Sequence, residues 1–148
     1  MKRTSRVLLC AVVSLLAAMP ARAQQQPSSP AVGPWTNQSG SILYIEAVSA
    51  KGMITGQYVN RAPGFSCQNT AYPVTGWLSG TSITFSVTWT NSTQSCNSVT
   101  GWTGSFDANF TTLSTSWVIS RNGSTELTTG QSVFTRVPPA PAPPRSQP

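Results

Sequence analysis

The sequence contains no histidine and only three acidic residues, Glu46, Asp107 and Glu126, and charged residues make up 8% of the chain. General acid–base catalysis, nucleophilic catalysis and metal binding depend mainly on histidine, carboxylate and cysteine side chains. So small a supply argues against an enzyme and against a metal or catalytic cofactor. A binding site made of aromatic rings, hydroxyls and amides could still be built, because those groups are abundant.

Long apolar runs are also missing, apart from one near the N-terminus. Residues 7–19 are apolar except for Ser14; three basic residues precede this run, and Ala21–Ala23 follows it. A positive start, a short apolar stretch and small residues before a cleavage point are typical of a secretory signal peptide. A membrane anchor is the alternative, but the run is too short to span a bilayer. We therefore predict a signal peptide over residues 1–23 and a secreted or periplasmic protein that has no membrane contact after cleavage.

Cleavage would change both the charge and the cysteine count. Four of the nine Lys and Arg residues leave with the signal while the three acids remain, so the net charge falls from +6 to +2. Such a chain offers no basic stripe for nucleic acid. Cys10 also leaves, and two cysteines in an exported protein commonly pair. A bridge between Cys67 and Cys96 would stabilise the fold by roughly 3–4 kcal/mol; two free thiols or an intermolecular bridge are the alternatives.

Residues 34–137 lack helical periodicity and show short alternating runs between turns. In Ile83–Thr90 the large apolar residues are odd-numbered and the hydroxyls even-numbered, as in a strand with one buried face. Further strands are predicted at Pro34–Asn37, Ser41–Val48, Met53–Val59, Tyr72–Leu78, Val99–Phe106, Phe110–Ile119 and Gln131–Val137. Asn122-Gly123 predicts a two-residue hairpin turn. This all-β pattern fits either a sandwich or an eight-stranded antiparallel up-and-down β-barrel, whose mouth can hold one small ligand.

The segments outside these strands are two terminal segments and two long loops. Residues 24–33 are predicted to be a flexible N-terminal segment, and residues 138–148 a Pro-rich disordered tail that cannot join a sheet. Two connections, 60–71 and 91–97, are too long for tight turns, and each contains one of the two remaining cysteines. Long loops on a rigid frame commonly carry binding residues.

Tryptophan marks the candidate site. Trp35 and Trp77 are interpreted as core or interface residues. Trp102 shares its strand face with the hydroxyls of Ser98 and Thr100. Together with the indoles of Trp89 and Trp117, this face predicts an apolar box with a few polar anchors, which is typical of a small-molecule site.

Six motifs, in order along the chain, resemble the avidin and streptavidin family: residues 33–41, Ile54–Tyr58, Phe85–Trp89, Thr100–Gly104, Thr115–Trp117 and Phe134–Val137. Both cysteines and the segments around them are most similar to the short, dimeric, rhizavidin-like bacterial branch. The resemblance implies an avidin-like β-barrel over residues 34–137 that binds biotin non-covalently, with high affinity, in its mouth. It also implies a homodimer, since residues 120–130 hold no tryptophan to lend to a neighbouring subunit.

By this resemblance, Asn37, Ser41 and Tyr58 would donate hydrogen bonds to the ureido oxygen of biotin. Asn60 would accept from one ureido N–H. Ser132 stands where the family usually has an aspartate that accepts from the other N–H. A neutral hydroxyl is a weaker acceptor than a carboxylate, so weaker binding than in relatives with that aspartate is expected.

The remaining roles concern the ring and the side chain of the ligand. Three indoles would wall the bicyclic ring, those of Trp89, Trp102 and Trp117, with Ile119 and Phe85 behind them. Thr100 would face the thioether sulfur. Ser98 and backbone N–H groups of the loop over residues 60–71 would take the valerate carboxylate. A Cys67–Cys96 disulfide would pre-organise the first long loop for binding. A lipocalin-like carrier of another small ligand and a secreted protein-binding or inhibitor barrel are the competing interpretations.

Overall fold

The computed structural model describes residues 28–138; the predicted signal peptide and residues 139–148 of the Pro-rich tail lie outside the described residues. Eight strands form in the described part: β1 (Gly33–Asn37), β2 (Ile42–Val48), β3 (Met53–Val59), β4 (Ala71–Ser79), β5 (Ser82–Trp89), β6 (Ser98–Phe106), β7 (Thr112–Arg121) and β8 (Leu127–Arg136). Between residues 28 and 138 there is no helix long and apolar enough to span a bilayer.

Each strand pairs antiparallel with the next, and β8 pairs back onto β1, so the sheet closes into a barrel. At the seam Trp35 lies opposite Arg136 and Asn37 lies opposite Phe134. Closure satisfies the backbone groups that edge strands would leave unpaired. The prediction of an eight-stranded antiparallel up-and-down barrel is therefore confirmed, and the sandwich alternative is wrong.

The alternation of residues decides which side chains fill the interior. In β5 the side chains of Ile83, Phe85, Val87 and Trp89 are buried, whereas the even-numbered residues are more exposed. At one end, called here the closed end, aromatic side chains fill the barrel: the rings of Trp35 and Phe106 lie 4.9 Å apart. The apolar core therefore occupies that end and leaves room at the other.

The segment before β1 packs against the closed end. Ala31 is fully buried, and its carbonyl accepts a hydrogen bond of 2.9 Å from the Trp35 indole N–H. The Arg136 guanidinium lies 4.3 Å from the centre of the Trp35 ring and donates to the carbonyl of Val32. The last residues of the predicted N-terminal segment 24–33 are thus part of the packed structure, which begins before residue 34.

The start of β7 differs from the prediction. It begins at Thr112 rather than Phe110, which has a φ of 53° in the turn that follows Asp107. The Asp107 carboxylate accepts hydrogen bonds from the backbone N–H groups of Thr111 and Thr112 and fixes this turn. Aromatic residues are common in strands, so the sequence predicts that Phe110 belongs to β7. The hydrogen bonds of Asp107 instead hold it in the turn before the strand.

The start of β8 differs as well. It begins at Leu127 rather than Gln131. The predicted turn at Asn122-Gly123 does form, with the N–H of Ser124 donating to the carbonyl of Arg121, but the whole connection spans residues 122–126, so the two-residue hairpin is wrong. The inward positions at this end of β8 are Thr128 and Gly130. Neither supplies a large apolar side chain, and the alternation that marks a strand is therefore absent from the sequence.

Candidate functional site

A cavity of about 210 Å³ lies at the open end of the barrel. An apolar cavity of roughly 150 Å³ already accepts benzene, so this one has room for a small bicyclic ring. All predicted binding residues except Ser41 line it: Asn37, Tyr58, Asn60, Trp89, Ser98, Thr100, Trp102, Trp117, Ile119 and Ser132. Of the described residues that form its wall, none is charged.

Strand register brings the aromatic side chains together. Trp102 on β6 pairs with Phe85 on β5 and with Trp117 on β7. The Trp102 and Phe85 rings stack with their centroids 4.9 Å apart and their planes 7° apart, and the Tyr58 ring lies 5.0 Å from Trp102. The indole of Trp102 is therefore fixed from behind and presents one surface to the cavity.

Asn37 ends β1 and presents its amide N–H₂ group to the cavity. Its side-chain oxygen accepts hydrogen bonds from the backbone N–H groups of Ser39 and Ser41, at 3.0 and 2.9 Å. Because the side-chain oxygen already accepts these two bonds, the amide nitrogen faces the Tyr58 hydroxyl and donates to it at 3.5 Å. The tight β1–β2 turn thus leaves the Asn37 amide nitrogen as the donor that faces the cavity.

Tyr58 places a hydroxyl beside the Asn37 amide and is the second donor of the site. Burial raises the pKa of Tyr58 to about 12, although hydrogen bonds with Ser41 and Asn37 act to lower it. Removing water disfavours the phenolate form. The side chain therefore remains a neutral O–H donor at any pH near neutrality.

Ser41 does not belong to the cavity wall in this structure. It is fully buried, and its hydroxyl oxygen accepts a hydrogen bond of 2.9 Å from the backbone N–H of Arg61. Ser41 thus joins the β1–β2 turn to the start of the β3–β4 loop.

Two tryptophan N–H groups differ in whether they have a hydrogen-bond partner among the described residues. Trp89 donates to the hydroxyl of Thr100 at 2.8 Å, and the Thr100 proton remains available to another acceptor. Trp102 Nε1 is buried and has no hydrogen-bond partner among residues 28–138. The site therefore holds an unused indole donor beside an oriented threonine hydroxyl.

Asn60 and Ser98 join the cavity to the loops above it. Asn60 donates to the carbonyl of Ser66 at 3.2 Å and accepts from the N–H of Ala62 at 3.0 Å. An amide oxygen has two lone pairs, so Asn60 can accept once more. Ser98 donates its proton to the carbonyl of Cys96 at 2.7 Å.

The two long loops are covalently joined by a disulfide between Cys67 and Cys96, whose Cα atoms are 6.0 Å apart. Intramolecular pairing is thus confirmed over free thiols and over a bridge between chains. The backbone N–H of Cys67 also donates to the side chain of Gln94 in the second loop. Both contacts fix the β3–β4 loop over the cavity.

Ser132 lies on the β8 side of the cavity and is buried. The Thr115 hydroxyl donates to its backbone carbonyl at 3.0 Å, which fixes this part of the strand. The position thus offers a neutral hydroxyl at the base of the site. The part of the chain that the structure describes also contains no cluster of three residues suited to hold a metal ion.

Several residues of the wall were not predicted: Gln38, Ser39, Ala62, Phe65 and Gln131. Phe65 reaches the cavity from the β3–β4 loop and packs edge-on against Trp117, with ring centroids 6.1 Å apart. Strand periodicity gives no information about a loop residue. The sequence gives one indication that Phe65 belongs to the site, namely that it is an aromatic residue two positions before Cys67.

Known proteins resemble this chain in both sequence and structure. The Avidin family matches residues 25–137. Afifavidin from Afifella pfennigii is 43% identical over 107 residues, which cover 70% of this chain and 67% of afifavidin. Apo shwanavidin superposes with a TM-score of 0.69 at 44% identity, over 78% of this chain and 100% of shwanavidin. Rhizavidin in complex with biotin gives a TM-score of 0.66 at 48% identity, over 72% of this chain and 92% of rhizavidin.

Proposed function

This chain belongs to the avidin family, and we propose that it binds biotin non-covalently in the cavity at the open end of its barrel. Its relatives are biotin-binding proteins and not enzymes. The observation that carries the proposal is the composition of the cavity wall, where indole rings and neutral hydrogen-bonding groups converge without a charged side chain. Such a wall suits a neutral, flat, polar-edged ring such as a cyclic urea.

The ureido oxygen of biotin would accept hydrogen bonds from Asn37 and Tyr58. Their donor atoms lie 3.5 Å apart, so one oxygen can reach both. Ser41 would be the third donor, since its hydroxyl accepts from the N–H of Arg61 and keeps its own proton for the ligand. In a dry cavity such bonds are stronger than in water, which favours high affinity.

Other groups would complete the recognition of biotin. Asn60 and Ser132 are the acceptors for the two ureido N–H groups, and Thr100 supplies a hydroxyl to the thioether sulfur. Apolar side chains of the neighbouring strands β5, β6 and β7 would pack against the ring: Trp89, Trp102, Trp117 and Ile119. The disulfide reduces the cost of ordering the β3–β4 loop when the ligand binds.

The biological setting is part of the proposal. The N-terminal sequence supports export by a signal peptide over residues 1–23 and a secreted or periplasmic location. The disulfide suits an oxidising compartment. Similarity to the short avidins supports a homodimer, and sequestration of biotin is the role that follows from a protein that binds the vitamin without converting it.

A titration of tryptophan fluorescence with biotin tests the proposal. Quenching and a blue shift that saturate at one biotin per chain are expected, because indoles line the cavity. The Trp77→Phe variant is the matched control: Trp77 is 54% exposed on the outer face of β4 and should leave the response intact, whereas Trp102→Phe should diminish it.

The same titration separates the alternatives. A lipocalin-like carrier would respond to an aliphatic ligand rather than to biotin, and a protein-binding barrel would show no spectral change with either. An unchanged wild-type spectrum at saturating biotin would therefore refute biotin binding.

A further inference from the structure

The inward-facing row of β7 ends in a cation. Thr115, Trp117 and Ile119 alternate toward the interior, and Arg121 occupies the next inward position, where the strand leaves the barrel. Side chains two residues apart on a strand share a face. Arg121 is exposed and lies at the mouth, on the same strand face as Trp117 and Ile119 and in the wall of a second cavity that Ile119 also lines.

A hydrogen bond holds the Arg121 guanidinium over the mouth. Its Nη1 donates to the hydroxyl of Thr128 at 2.7 Å. Thr128 pairs with Ile119 across the β7–β8 ladder and is half-buried. A guanidinium has five N–H donors, so this bond leaves others free for a ligand.

A second cavity, of about 280 Å³, lies over this arginine. It shares Phe65, Ser98 and Ile119 with the biotin cavity and extends to Arg121 and Asn122. The two cavities are therefore neighbours with common walls. A ligand whose ring fills the inner one would extend its side chain into the outer one.

Ser98 and Arg121 are direct partners in the β6–β7 ladder, so both side chains are at the point where the cavities meet. The Ser98 hydroxyl already donates its proton to the carbonyl of Cys96. A carboxylate placed there would take its hydrogen bonds from other donors, such as the backbone N–H groups of the β3–β4 loop and the Arg121 guanidinium. Arg121 is the charged residue in the wall of the outer cavity.

We propose that Arg121 determines specificity by binding the carboxylate of free biotin, so that the site prefers the free acid to biotin whose carboxyl is blocked as an amide. This inference rests on the proposed function. Arginine pairs with carboxylates through parallel N–H···O bonds, and an amide offers it neither the charge nor two equivalent oxygens. The chain would thereby favour the free vitamin over biotin linked to protein.

The test compares the dissociation constants of biotin and biotinamide by competitive titration. The ratio of the biotinamide constant to the biotin constant should fall about fivefold in Arg121→Gln, the upper range for an exposed ion pair. Arg121→Lys should retain part of the preference. Arg61→Gln removes a charge from the same end of the barrel and is the matched control, because Arg61 lines neither cavity; its ratio should equal that of the wild type.

Salt provides a second readout. Raising the ionic strength from about 0.05 to 0.5 M should lower the wild-type ratio and leave the Arg121→Gln ratio unchanged, because salt screens an exposed ion pair. An Arg121→Gln ratio equal to that of the wild type would overturn this inference while biotin binding stands. Failure of the wild type to bind either ligand would instead overturn the proposed function.

Discussion

At the scale of single residues, burial keeps Tyr58 in its donor form and predicts a loss of stability in alkali. The pKa of Tyr58 is raised from 10.0 to about 12 in the folded chain. Between these values the unfolded chain binds fewer protons than the folded one, so stability is complete below pH 10 and declines as pH rises toward 12. The free energy of unfolding should fall by about 2 kcal/mol between pH 10 and pH 12 from Tyr58 alone.

Urea unfolding at pH 9, 10, 11 and 12 measures this effect, with Tyr58→Phe as the variant that lacks the titrating group. The variant should lose this part of the alkaline decline, because phenylalanine has no proton to release. Parallel pH profiles for the two proteins would show that Tyr58 does not contribute.

Ser132 gives a second prediction at this scale. Ser132→Asp should tighten biotin binding about five- to tenfold, since hydrogen bonds to charged groups contribute roughly 1.5–3 kcal/mol and neutral ones about 1. Calorimetric titration measures the change, and Ser132→Asn serves as a neutral control of similar size. Equal or poorer affinity in the aspartate variant would count against the assigned orientation of the ureido ring.

Individual site residues could be predicted where they lie on strands. The parity of Ser98, Thr100 and Trp102 indicates a shared face, and the structure places all three on the cavity wall. Ser41 shows the limit of this reasoning. The resemblance gives it a role toward the ligand, but its full burial and its hydrogen bond with the N–H of Arg61 come from a contact with the β3–β4 loop, which strand parity does not predict.

At the scale of elements, the disulfide joins two loops that would otherwise move independently. The cysteines are 29 residues apart, and the chain-entropy model assigns such a closure roughly 3–4 kcal/mol of stability. The Cys67→Ser/Cys96→Ser double variant should lose about that much free energy of unfolding. It should also release biotin faster, because the β3–β4 loop would then be ordered only upon binding.

Urea unfolding and the biotin dissociation rate measure these two effects separately. Oxidised wild type in the same buffer is the reference. If the double variant were less stable but released biotin at the wild-type rate, the bridge would have no part in pre-organising the site.

Strands could be predicted to the extent that their faces differ in polarity. Met53–Val59 has the predicted bounds, since its buried and exposed residues alternate throughout. The first residues of β8 lack this contrast and were missed. Closure of the barrel depends on pairing β1 with β8, about a hundred residues apart along the chain, and no local pattern encodes that contact.

At the scale of the whole molecule, the proposed homodimer would bury part of the outer face of the barrel. Val99, Val118 and Val133 are exposed on neighbouring strands, at 46%, 39% and 47% of their surface. A dimer that covers such a face would remove apolar area from water. Light scattering should therefore give a mass near twice that of the mature chain.

The Val118→Lys variant should shift this mass toward a monomer, because a charge would have to be buried in the interface. Met53→Lys makes the same change at an exposed apolar residue on β3 and should leave the mass unchanged. A tetramer in the wild type, or a dimer unaffected by Val118→Lys, would contradict this arrangement.

Indole rings and neutral donors would replace water around one cyclic urea inside the closed sheet. A crystal structure of the chain with biotin shows directly whether they do. The ureido oxygen should lie within hydrogen-bonding distance of Asn37 Nδ2 and the Tyr58 hydroxyl, with the bicyclic ring among the indoles of the cavity wall. Biotin bound outside this cavity, or with its ureido group turned toward the mouth, would contradict this prediction.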